Sequence, residues 1–142
     1  MKIYLSANPP TDQNKSHKWV SSLAALDGLV MSSEATSIVC EHFLSTLPIQ
    51  QMAAAINLMA SKMRIGGELI IYATDIVILS QRIYKDEIDL NILNNILFKN
   101  GSIKSAYSMD LVEQLLPKNI EILNKHFNIG TSEIVIKTRR SS

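Results

Sequence analysis

Residues 35–75 read ATSIVCEHFLSTLPIQQMAAAINLMASKMRIGGELIIYATD, and this stretch, Ala35–Asp75, decides the fold. Thr36–Cys40 is a short apolar run. Pro48–Met63 has helical periodicity. Ile49, Met52, Ala53, Ile56, Met59, Ala60 and Met63 form one stripe, with Gln50, Gln51, Asn57 and Lys62 largely off it. Gly66-Gly67 is expected to end that helix through a left-handed cap. Glu68–Ala73 is a second, strongly apolar strand. Two strands joined by a helical crossover are expected to be parallel neighbours in one sheet. Ile38, Val39 and Cys40 are continuously apolar, as in a strand covered on both faces.

Upstream, Lys2–Ser6 alternates polar and apolar residues and predicts a first strand. Pro9-Pro10 excludes helix or central strand from the loop that follows. Ser16 is placed to cap a helix through about Asp27, with Trp19, Val20, Leu23 and Leu26 at helical spacing. Leu29-Val30-Met31 reads as a stub of strand. Downstream, Thr74-Asp75 can cap, and Ile76–Lys85 and Asp89–Phe98 read as helices. Asn100-Gly101-Ser102 reads as a turn. Ser108 caps a helix carrying Leu111, Val112, Leu115 and Leu116, which Pro117 stops. Ile120–Phe127 and Glu133–Thr138, separated by Asn128-Ile129-Gly130-Thr131, predict an antiparallel hairpin. The order predicts one α/β domain over residues 1–142. Its architecture is a Rossmann-like three-layer sandwich with a mostly parallel sheet and an antiparallel C-terminal hairpin.

Of the 142 residues 46% are hydrophobic and 19% charged, with a formal net charge of +1. Near-neutral charge argues against general nucleic-acid or membrane-surface binding. Cys40 is the one cysteine, which excludes an internal disulfide. No apolar run approaches the roughly 20 residues of a membrane-spanning helix, and Lys2-Ile3-Tyr4-Leu5-Ser6 is unlike a signal peptide. The expected setting is cytoplasmic, or part of a virion if the source is viral.

Three segments together resemble the class I S-adenosylmethionine-dependent methyltransferases, especially the small type-11-like ones. Ser37–Pro48 (SIVCEHFLSTLP) resembles the family's fourth strand and the turn after it. Met59–Ile71 (MASKMRIGGELII) resembles the stretch where a helix ends in "LKPGG" and the fifth strand begins. Ala106–Leu116 (AYSMDLVEQLL) resembles the segment that ends in a helix before the final hairpin. The ordered series covers about two thirds of the chain, and no one motif is specific by itself. The resemblance implies a cofactor turn after the first strand, at Leu5, Ser6, Ala7 and Asn8. That turn has no glycine, where bare backbone is wanted. An acid at the end of a second strand is also expected, but no such strand is evident. Only about 30 residues separate the first strand from Ile38, room for one crossover, so part of the N-terminal half is expected to be missing. Asp27 is the candidate for an adenine-side acid. Members often carry Glu-His after the leucine of the fourth-strand turn, whereas Leu44 here precedes Ser45-Thr46.

Glu41 and His42 are the candidate catalytic pair, since they close a parallel strand on the rim where open α/β sheets bind ligands. They also read as ordinary polar groups at a strand end. Asp75 shares that rim and reads as a helix cap. His17 and His126 lack ligand-spaced partners, so no metal is expected. Cys40 reads as a buried small hydrophobe. Lys137, Arg139, Arg140 and Lys104 read as a small basic patch or as a solvated tail. Asn8, Pro9, Pro10, Asp12 and Asn14 form a candidate partner-contact loop.

The expected function is that of a degenerate methyltransferase-like module, structural or protein-interacting, without a bound cofactor, such as one in a phage assembly. A missing sheet half would expose an edge and apolar surface, which predicts a protein partner or a second copy. The alternative is a small active enzyme that uses S-adenosylmethionine.

Overall fold

Leu5, Cys40, Ile71 and Ile136 are paired in one row across four neighbouring strands, and all four are fully buried. That row is the centre of the fold in the computed structural model, which describes residues 1–10, 15–98, 103–128 and 130–142. The strands are β1 (Lys2–Leu5), β2 (Lys18–Val20), β3 (Ala35–Glu41), β4 (Met63–Thr74), β5 (Ile120–Asn128) and β6 (Glu133–Arg140). They form one sheet in the order β2-β1-β3-β4-β6-β5. The first four strands are parallel, and β6 and β5 run antiparallel, as the sequence predicts.

The helices are α1 (Leu23–Leu29), α2 (Met52–Lys62), α3 (Ile76–Tyr84), α4 (Leu90–Phe98) and α5 (Met109–Leu115). Leu26 of α1, Met52, Ala55, Ile56 and Met59 of α2, and Met109 and Val112 of α5 enter one core with Ile3, Leu5, Ile38, Leu69 and Ile71. Each large apolar side chain buried there contributes about 1.5–3 kcal/mol. The sandwich is asymmetric. On the other sheet face Tyr4 and Val39 are buried, but Ile70, Tyr72 and Val135 stay partly exposed. Glu68 bridges Lys137 (3.2 Å) and Arg139 (3.6 Å) on that same face. No helix among the described residues is long and apolar enough to cross a membrane.

Several local expectations are corrected. Lys18–Val20 is a strand, paired with β1, where a helix capped by Ser16 was expected. Ser22 caps α1 instead, accepting from the Ala25 amide at 3.0 Å. A three-residue strand is too short to show alternation, and the free edge of β1 outweighs the helical spacing of Trp19 and Val20. Leu29 ends α1, Val30 is its C-cap, and no strand stub forms there.

Gly66-Gly67 does not end α2, which stops at Lys62; both glycines lie within β4. Met63 opposes Ala35 and Glu68 opposes Ser37, so the residues between form a bulge. Gly66 has φ +82, and a Cβ on Gly67 would lie 2.9 Å from the carbonyl oxygens of Ala35 and Arg64. Lys62 is buried rather than off the stripe, because its ammonium meets the Asp27 carboxylate at 2.7 Å. Lys137 and Arg139 pair with Glu68, and Arg140 donates to the Met63 carbonyl at 2.5 Å. The expected turn at Asn100-Gly101-Ser102 lies outside the described residues, as do Asp12, Asn14 and Ile129.

Gly67→Ala is expected to lower stability by about 1–3 kcal/mol, since backbone rather than a side chain must move. Gly28→Ala, inside α1 with nothing within 4 Å of the added carbon, is expected to raise it by about 0.5–1 kcal/mol. Urea unfolding midpoints of the two variants test this contrast. Burial pushes the Cys40 thiol up to about 12, against weaker opposing bonds from the Phe43 and Leu44 backbone. A thiol reagent at neutral pH should leave Cys40 unmodified in the folded chain and modify it rapidly in denaturant.

Candidate functional site

The carboxyl ends of β1, β3 and β4 and the start of β6 meet on one rim, and a cavity of about 470 Å3 opens there. Ser6, Ala7 and Asn8 line it from β1, Glu41 and His42 from β3, Thr74 from β4, and Thr131 and Glu133 from the hairpin. Ile76 and Leu79 of α3, Ile96 and Leu97 of α4, and Ile103, Ser105, Ala106 and Tyr107 also line it. The Ser45 carbonyl ties that segment down, accepting from the Lys104 amide at 2.7 Å and the Ser105 amide at 3.2 Å.

His42 follows the last residue of β3 and has φ +50, a left-handed backbone that costs a non-glycine residue about 1–2 kcal/mol. Its amide is held by the Tyr72 carbonyl at 2.9 Å, and its carbonyl accepts from Ser45 Oγ at 3.2 Å. This turn brings His42 Nε2 to 2.5 Å from Glu133 Oε2. Facing a carboxylate, that nitrogen carries the proton and donates. Glu41 has a different partner: its Oε2 accepts from the Tyr4 hydroxyl. The two adjacent candidates therefore line one cavity but belong to separate pairs.

The carboxylates leave a mark on the tyrosines around them. Burial, and then the hydrogen bond to Glu41, hold the Tyr4 hydroxyl well above its ordinary range. Tyr72 is raised by burial first and then by the charges of Glu41 and Glu133. Tyr107, 4% exposed, is raised by burial and more weakly by Cys40. Its hydroxyl has no hydrogen-bond partner among the described residues.

The other sequence candidates are distributed as follows. Ser6, Ala7 and Asn8 line the cavity, while the Leu5 side chain is in the core. Asp27 is on α1, paired with Lys62, and does not line the cavity. Among the described residues no three His, Cys, Asp or Glu side chains stand together as metal ligands. Asp75 caps α3, its Oδ1 accepting from the Val77 (2.8 Å) and Ile78 (3.1 Å) amides. Its Oδ2 accepts from the Met109 amide at 2.9 Å, tying α5 to α3. Tyr107, Glu133 and Tyr4 were not singled out from the sequence. Glu133 is 91 residues from His42, and no local pattern announces such a partner.

No protein-family model and no curated protein matches this sequence. Solved structures do. The N-methyltransferase NodS from Bradyrhizobium japonicum WM9, in complex with S-adenosyl-L-homocysteine, is similar over 99% of this chain and 67% of its own. Its TM-score is 0.59 and the identity 13%. The PH0226 protein from Pyrococcus horikoshii OT3 is similar over 98% and 71%, with TM-score 0.64 and 10% identity. A complex containing the Haloferax volcanii Trm112 methyltransferase activator is similar over 99% and 72%, with TM-score 0.63 and 7% identity. The fold is the methyltransferase-like, Rossmann-like one, on a chain shorter than those it is similar to.

The residues present do not fit the cofactor which that fold implies. The Ser6 amide already donates to the Val20 carbonyl at 3.2 Å, the Asn8 amide to Ser6 Oγ at 3.3 Å, and Pro9 has no N–H. The Ser6 carbonyl accepts from the Trp19 indole at 3.0 Å. β2 runs into Ser21 and Ser22, so no acid stands at its end to take ribose hydroxyls.

Asp75→Ala removes the acceptor of three amides and is expected to cost about 2–4 kcal/mol, more than an ordinary exposed cap. Amide hydrogen exchange should quicken at the starts of both α3 and α5. Faster exchange at α3 alone would confine Asp75 to an ordinary cap.

Proposed function

We propose that this chain is a methyltransferase-like domain that acts as a structural or protein-interaction module and does not bind S-adenosylmethionine. The observation that carries this reading is the turn after β1, whose Ser6 and Asn8 amides are taken by the chain itself. A cofactor carboxylate or ribose would have to displace those bonds, and no glycine gives it closer access.

Exposed apolar side chains on α3 and α4 support the interaction role. Val77 and Tyr84 lie on one face of α3 and line a shallow depression, and Tyr84 is 89% exposed. Leu90 and Phe98 of α4 are also exposed. Apolar surface of this kind is usually covered in an assembly. The similarity to a complex containing a methyltransferase activator is in keeping with a protein partner for such a fold.

The second reading is a small active methyltransferase, favoured by the His42–Glu133 pair on the cavity rim. In that reading the Leu5–Asn8 backbone binds the cofactor, and Glu41 or His42 works beside the acceptor.

Calorimetric titration with S-adenosylmethionine and S-adenosylhomocysteine separates the two. The module reading expects no heat at millimolar ligand. Micromolar binding would overturn the module reading and favour the enzyme reading. Light scattering on the same sample should give a mass above that of one chain if the partner is a second copy, and Tyr84→Ser should return it to the monomer.

A further inference from the structure

α3 presents one stripe to solvent. Val77, Ser80, Gln81 and Tyr84 recur at helical spacing, and with Ile76 and Lys85 they line a shallow depression. No residue outside 76–85 lines it among those described. Val77 is 52% exposed and Tyr84 89%. The small residue between them, Ser80, donates its hydroxyl to the Ile76 carbonyl at 2.7 Å, so its polarity is spent within its own helix.

The stripe therefore carries both a knob and a hole. Tyr84 stands one heptad from Val77, about 10 Å along the helix, with the small Ser80 between. Parallel pairing with a second copy would set Tyr84 against Tyr84 and leave the depression unfilled. Antiparallel pairing about a two-fold axis near Ser80 sets each Tyr84 over Val77 and Ser80 of the other copy, and it opposes the two helix dipoles.

Charge agrees with that orientation. Lys85 is the one charged residue lining the depression, and it sits at the C-terminal end of α3. At the other end Val77 shares a second depression with the exposed Asp110 of α5. Neither Lys85 nor Asp110 has an ion-pair partner among the described residues. The acids after Lys85 stand apart from the stripe. Glu87 is 3.8 Å from Arg82, Asp89 accepts the Ile92 amide at 2.8 Å, and Asp86 lines neither depression. In the antiparallel pair each Lys85 comes to the Asp110 end of the other copy, and the uncharged stripe between them meets no like charge at the axis.

We propose that a second copy of this chain docks on α3, antiparallel and two-fold symmetric, with Tyr84 of each copy in the depression of the other and Lys85 facing Asp110. The proposal rests on the interaction role above and names the partner for it. A single helix pair is a small contact beside the roughly 1,200–2,000 Å2 of a stable interface, so this dimer exchanges with the monomer.

The test is sedimentation velocity of the full chain at rising concentration. The mass should rise from one chain to two and no further. Tyr84→Ser and Ser80→Glu should each weaken the dimer at least about tenfold, the second by placing two like charges beside the axis. Ser80→Ala should leave it unchanged. Lys85→Glu should weaken it about threefold or more, and adding Asp110→Lys should restore it. Thermal melting checks that each variant folds. A mass of one chain at every concentration, growth beyond two chains, or a dimer that Tyr84→Ser and Ser80→Glu leave intact overturns the proposal. A folded charge-swapped chain that dimerises no better than Lys85→Glu alone overturns the antiparallel arrangement, and the Ser80 contrast stands even if that chain does not fold. Binding of S-adenosylmethionine in the separate titration overturns the module reading and leaves the dimer to be judged by mass alone.

Discussion

The Asp75 carboxylate is the joint on which the rim depends. One oxygen accepts two amides at the start of α3, and the other accepts the first amide of α5. The Asp75 amide reaches across to the Ser132 carbonyl at 3.3 Å. One side chain thus fixes the end of β4, two helix starts and the hairpin turn relative to one another. Asp75 is 5% exposed, and these amides replace the water that its carboxylate gives up. The segment carrying Tyr107 enters α5 through this joint, and the Ile76 amide donates to the Tyr107 carbonyl at 3.0 Å. The cavity wall is therefore positioned by a cap rather than by apolar packing alone.

What was legible in the sequence is what local physics decides. The stripe of α2, the apolar run of β4, the caps Asp75 and Ser108, and the C-terminal hairpin all follow from period and capping chemistry. What was not legible depends on residues far apart. β2 exists because β1 offers an edge, and Lys62 is buried because Asp27 comes within reach from α1. The glycines looked like a helix stop because a cap and a bulge both call for positive φ. At the site, Glu41 and His42 could be placed on the rim from their position at a strand end. Their partners Tyr4 and Glu133 lie 37 and 91 residues away.

The likeness of this molecule to solved structures extends over nearly the whole chain at 13% identity or less. What is shared at that distance is the fold, which needs only apolar character at the right period. The turn after β1 needs more: free amides and open backbone. In this chain the Asn8 amide donates to Ser6 Oγ, and the Ser6 carbonyl accepts from the Trp19 indole of the neighbouring strand. The sheet has β2 and β5 at its edges; β2 is three residues long, and the pairing of β5 with β6 is irregular between Ile122 and Asn124. A short or irregular edge strand discourages growth by strand addition.

β6 follows β5 in the chain yet lies between β4 and β5 in the sheet. As the polypeptide leaves the ribosome, β5 has no strand to join until β6 emerges. Until then β4, with Leu69, Ile70 and Ile71, offers an unpaired apolar edge. Sheet completion has to wait for synthesis to pass Arg140, so the nascent chain carries its most adhesive strand uncovered through that interval.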